Sequence, residues 1–135
     1  MLEDDLKRYG IKTHPCHVLC ETKTGHAPRF VARHTHRHPL PARSLIVLNK
    51  DTLVVTPELL FLELAASRDI DDVELLRIGF ELCGTYVLDV SEDSWDGYTS
   101  TDAPITSAKK ISTFLERCSG MNGSKRARRL ARLIA

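Results

Sequence analysis

The stretch from Thr56 to Ala66 constrains this chain more than any other. Thr56-Pro57-Glu58 is a helix start with three separate reasons behind it. A threonine hydroxyl can accept from an orphan N–H, proline needs no donor at the first helical position, and a carboxylate suits the positive end of the helix dipole. The residues that follow, Leu59 to Ala66, are apolar except Glu63. A helix that is apolar almost all round must be covered on several sides, so it belongs at the centre of a core. A chain of 135 residues with 42% hydrophobic content is long enough to build that core as one domain.

The flanking sequence supplies the remaining elements. Leu2 to Tyr9 reads as a short helix ended by Gly10. His17-Val18-Leu19 and Arg29 to His34 read as strands, separated by a turn around Gly25. Ser44 to Leu48 and Thr52 to Val55 read as two strands of a hairpin about Asn49-Lys50-Asp51. Asp71-Asp72-Val73-Glu74 opens a helix in capping-box style, which turns Leu75, Ile78 and Leu82, with Leu76, Phe80 and Cys83 beside them, toward neighbours and stops at Gly84. Thr85 to Leu88 reads as a strand and Ser91 to Pro104 as a long loop. Thr106 or Ser107 caps a helix through Ala108, Ile111, Phe114, Leu115 and Cys118. A break at Gly120–Gly123 precedes a last helix capped by Ser124. The expected architecture is α/β (α+β): a small mixed sheet packed by a buried central helix, with a C-terminal helical pair. The expected organisation is a single domain over 1–135, with an extension over 1–14, a core over 15–105 and C-terminal helices over 106–135.

No apolar run approaches the ~20 residues a membrane span needs, and the charged N-terminus lacks a signal-peptide core. A cytoplasmic protein without membrane contact is expected, with Cys16, Cys20, Cys83 and Cys118 read as buried thiols. The net charge of +1 conceals segregation. Residues 12–50 hold seven Lys/Arg and one Glu, residues 51–105 two Arg and thirteen Asp/Glu, and residues 106–135 eight Lys/Arg and one Glu. Basic flanks around an acidic centre suit internal docking or an anionic partner.

Cys16-x3-Cys20 followed by His34-x3-His38 has spacing that could hold zinc. Against it, Val31 stands where a finger has leucine, Pro39 follows His38 directly, and Phe30, Ala32, His34, His36 and His38 alternate as on one strand face. No metal or other cofactor is therefore expected, with these four as the weak candidates. The same histidines form a titratable cluster with Arg33 and Arg37, whose charge rises near pH ~6.5. Glu92, Asp93, Asp96 and Asp102 gather in the acidic loop without any nuclease, EF-hand or HExxH spacing. No Gly-rich phosphate loop or nucleophile pairing stands out, so no enzyme activity is expected.

The last helix is the clearest binding candidate. At about 100° per residue, Ala127, Leu130, Ala131 and Ile134 line one face. Lys125, Arg128, Arg129 and Arg132 line the opposite one, with Arg126 at the side. Such a stripe suits nucleic-acid phosphates, the acidic middle of this same chain, or an acidic partner.

Pro39 to Ile46, Leu53 to Ala65 and Ile78 to Tyr86 together resemble an accessory domain of actinobacterial type IV abortive-infection (AbiEi-like) antitoxins. Gly123 to Arg129 resembles the linker helix of related very-short-patch-repair-like endonuclease proteins. The resemblance spans roughly residues 16–135 and includes neither the nuclease domain nor the family's usual N-terminal winged helix, so no catalytic residue carries over. It implies a non-enzymatic module of defence or toxin–antitoxin type. That module would contact a protein or nucleoprotein partner through Lys125, Arg126, Arg128, Arg129 and Arg132, with Arg33 and Arg37 as further anion contacts. The alternatives are a nucleic-acid-binding protein using phosphate contacts, a mobile-element-encoded inhibitor of a nuclease complex, and a zinc-stabilised interaction module.

Overall fold

A computed structural model of the chain describes residues 15–36, 38–88 and 97–134. The fold is mixed α/β and divides into two compact units, Met1–Pro39 and Leu40–Ala135. The expected Leu2–Tyr9 helix lies outside the described residues.

In the first unit, β1 (Cys16–Leu19) and β2 (Val31–His34) pair in parallel, Cys16 opposite Val31 and Leu19 opposite His34. The connection turns at Gly25, whose φ of 77° is the left-handed region where glycine carries no Cβ penalty. Both strands match expectation, but β2 ends at His34, so the alternation out to His38 is not continued as strand.

In the second unit, β3 (Leu45–Asn49) and β4 (Thr52–Val55) form the expected antiparallel hairpin, with a bulge between Val47 and Asn49. The Asn49 side chain accepts from Asp51 N at 2.9 Å and closes the turn. Leu45, Ile46, Val47, Leu48 and Leu53 stay exposed, so the hairpin contributes little to the core. Its base is different. Ser44 and Thr56 are buried, Thr56 N donates to Ser44 O at 2.8 Å, and the Thr56 hydroxyl donates to Arg43 O at 3.0 Å.

Four helices make the core: α1 (Pro57–Ala66), α2 (Asp72–Cys83), α3 (Ala108–Glu116) and α4 (Ser124–Ile134). Thr56, Asp71 and Ser107 are the N-caps of the first three, each accepting from the backbone N–H three residues on. Leu59, Phe61, Leu62 and Ala65 of α1 are buried, and α1 packs against all three other helices. So does α4, through Ala127, Leu130, Ala131 and Ile134. The C-terminal pair is thus part of the central packing. Ile111, Phe114, Leu115, Cys118 and Met121 complete it. Burying these side chains contributes about 1.5–3 kcal/mol for each large one, which holds the unit together.

Four expectations need correction. Among the described residues the strands form three two-stranded sheets rather than one small mixed sheet, the third being β5 (Tyr86–Leu88) paired antiparallel with β6 (Tyr98–Ser100). Part of the supposed Ser91–Pro104 loop is therefore strand; residues 91–96 lie outside the described residues. Ser124 is the first residue of α4 rather than its cap, and Ala127 N donates to Gly123 O at 2.8 Å. Phe80 is 53% exposed because it lies on the side of α2 away from Leu75 and Leu82.

Candidate functional site

The start of α4 is set by Gly123, with φ at 79°. A Cβ there would lie 2.6 Å from Ala66 N and 2.8 Å from Ala66 Cα. Only glycine permits this backbone to cross the end of α1 so closely. The crossing fixes the rotation of α4 and so decides which of its cations face inward.

Arg126 faces inward. Its Nη1 donates to Ala65 O at 3.2 Å and Ser67 O at 3.1 Å, its Nη2 to Ile70 O at 2.5 Å, and its Nε to Asp72 Oδ1 at 2.7 Å. Helix α1 has no basic residue in its own last turn. Arg126 supplies that cation from another helix, satisfying carbonyls at and just past the negative end of α1. Arg129 Nη2 reaches the second oxygen, Asp72 Oδ2, at 2.7 Å. Hydrogen bonds from Arg126 and then Arg129 hold the Asp72 carboxyl below its ordinary value of 3.8. Arg126 is thus not the surface contact the sequence suggested. The internal alternative, basic tail on acidic middle, is realised at Asp72.

Lys125 and Arg132 face the other way. Both are exposed, and neither has an ion-pair partner among the described residues. Arg129 joins them in part, its side chain 62% exposed despite the Asp72 contact. Arg128 is half-buried, with a buried Nε that makes no hydrogen bond. Its charge reaches the Cys118 thiol, as does that of Arg117. Burial dominates there and pushes the thiol up; Cys83 is pushed up too, by burial and then by the Glu58 charge.

The basic strand offers less than expected. Arg33 donates to Thr24 O at 2.7 Å and Gly25 O at 2.8 Å, so its guanidinium holds the turn rather than an external anion. Arg37 lies outside the described residues. Cys16, Cys20, His34 and His38 do not form a zinc tetrad: among the described residues no three His, Cys, Asp or Glu come together in a way that could hold a metal ion. His34 Nε2 instead lies 2.7 Å from His17 Nδ1, the rings stacked with centroids 5.0 Å apart. Cys20 Sγ donates to His34 O at 3.5 Å. Of the acidic-loop carboxylates, Asp102 is exposed and Glu92, Asp93 and Asp96 lie outside the described residues.

Sequence reasoning missed a second cationic feature. A cleft of about 570 Å³ opens between the Arg43 turn and α3, with Arg43, Lys109, Lys110 and Arg117 on its walls. Glu58 also lines it, its carboxylate accepting from the Thr106 hydroxyl. Arg43 is the single non-glycine residue at positive φ among the described residues, at 64°. That conformation costs an L-residue about 1–2 kcal/mol, met here by the buried Ser44–Thr56 network that holds the turn. The signal for the α3 cations was present in the sequence. Lys109, Lys110, Thr113 and Arg117 fall opposite Ile111 and Leu115 at helical spacing.

Comparisons with protein-family models, curated proteins and solved structures return no match. No helix of the described residues is long and apolar enough to cross a membrane.

Proposed function

We propose that this chain is a non-enzymatic binding module of defence or toxin–antitoxin type that contacts an anionic protein or nucleoprotein partner through the outer face of α4. One observation carries this reading. Helix α4 is held by its buried face and by Arg126, yet it projects Lys125 and Arg132 outward without an ion-pair partner among the described residues. Because α4 is already folded and docked, binding has to order only the exposed side chains and not the backbone that carries them. The defence setting rests on the family resemblance of the sequence.

The experiment is affinity capture from host lysate with wild type and with K125E/R132E, analysing protein and nucleic acid separately. A protein retained by wild type and lost from the variant supports the reading. Nucleic acid alone, lost from the variant, favours the phosphate-contact alternative. Identical captures by both overturn a role for α4.

A further inference from the structure

We propose that the cleft between the Arg43 turn and α3 binds a phosphate ester. Three of its four cations, Lys109, Lys110 and Arg117, share one face of α3 and its C-cap, and the fold brings the fourth, Arg43, to them from a segment far away in sequence. None of the four has an ion-pair partner among the described residues. Glu58 is the one carboxylate among the lining residues, with its oxygen accepting from the Thr106 hydroxyl. The four cations outnumber it, so the cleft keeps a net positive charge. A concave surface with low-dielectric walls focuses such a field on an anion entering it.

The chemistry narrows the anion. Two arginine forks and two lysine point charges match the several acceptor oxygens and multiple charge of a phosphate better than the single charge of a carboxylate. The Thr113 hydroxyl adds a neutral donor. The volume lies within the ~300–1,000 Å³ usual for small-ligand sites, and exceeds what a bare phosphate fills. The aliphatic stems of Lys109, Lys110 and Arg117 supply apolar wall for an attached organic group. The phosphate ester can belong to a free nucleotide or to a nucleic-acid backbone. The site does not depend on the outer face of α4, and its residues are different ones.

The test uses the full chain near neutral pH with two probes: adenosine 5′-monophosphate by calorimetry, and a fluorescein-labelled oligothymidylate by anisotropy. The variants are K109Q/K110Q and R117Q, with K125E/R132E as the reference for α4. At least one probe is expected to bind saturably and to weaken about tenfold or more in both cleft variants, as loss of a charged hydrogen bond implies. Binding of the mononucleotide, unchanged in K125E/R132E, assigns the site to free nucleotides. Binding of the oligonucleotide with no competition from the mononucleotide assigns it to a strand backbone. Failure of both probes to bind overturns the proposal, as does binding within about twofold of wild type in both cleft variants. Lys109, Lys110 and Arg117 are exposed, so folding should survive. Thermal melts check this, and R117Q alone decides if the double variant unfolds.

Discussion

Replacing Arg126 by alanine should destabilise the chain far more than any other change among the α4 cations. The guanidinium bonds three backbone carbonyls, at Ala65, Ser67 and Ile70, and its side chain is 23% exposed. Hydrogen bonds to a charged group are worth about 1.5–3 kcal/mol each, but they are not additive and water can replace some of them. A net loss of about 2–4 kcal/mol follows, with lost packing of the aliphatic stem included. The Asp72 ion pair is left out of that figure because its carboxylate is open to solvent. In a unit of nearly 100 residues each kcal/mol shifts Tm by about 5 °C, so a drop of roughly 10–20 °C is expected. Urea and thermal unfolding of R126A, R126K and K125A measure it. R126K keeps the charge but cannot fork to three carbonyls, so it should fall between wild type and R126A. An R126A loss below about 1 kcal/mol, or one matched by K125A, would refute the reasoning.

Other outcomes follow from the same geometry. Gly123→Ala should cost about 2–4 kcal/mol, because positive φ and a backbone clash with Ala66 combine; Gly120→Ala, at φ 86° with open space around it, should cost only about 1–2 kcal/mol, and chemical denaturation compares them. Asp72 has a depressed folded pKa, so its stabilisation is complete above its ordinary value of 3.8 and is lost as pH falls through the folded value. The Tm gap between wild type and Asp72→Asn should therefore be constant near neutrality and shrink below about pH 4; a gap that persists into strong acid contradicts the assignment. Buried Cys118, with its raised thiol, should alkylate more slowly than half-buried Cys16 and Cys20, read by mass spectrometry of iodoacetamide-treated native protein.

Much of the second unit was legible because its signals are local. Thr56, Asp71 and Ser107 cap their helices through bonds three residues on, and periodicity separates Ala127, Leu130, Ala131 and Ile134 from the cations. The role of Arg126 was not legible. It sits at the border of the apolar face, and its partners are 54 to 61 residues away in sequence. Only the tertiary crossing at Gly123 brings them within reach. Phe80 was misplaced because hydrophobicity outweighed its angle on α2. The parallel pairing of β1 with β2 is likewise nonlocal, and it draws His34 toward His17 rather than into a zinc tetrad. The α3 cations were readable from spacing, but Arg43 joins them only through a turn whose positive φ the sequence does not announce.

The central claim divides α4 into an inner cation that stabilises and outer cations that bind. K125E/R132E tests it when melting and partner capture are measured on the same preparation. The account predicts a Tm within a few degrees of wild type, as surface changes of about 0.5 kcal/mol allow, together with loss of the captured partner. A variant that keeps its partner while folded would contradict the account.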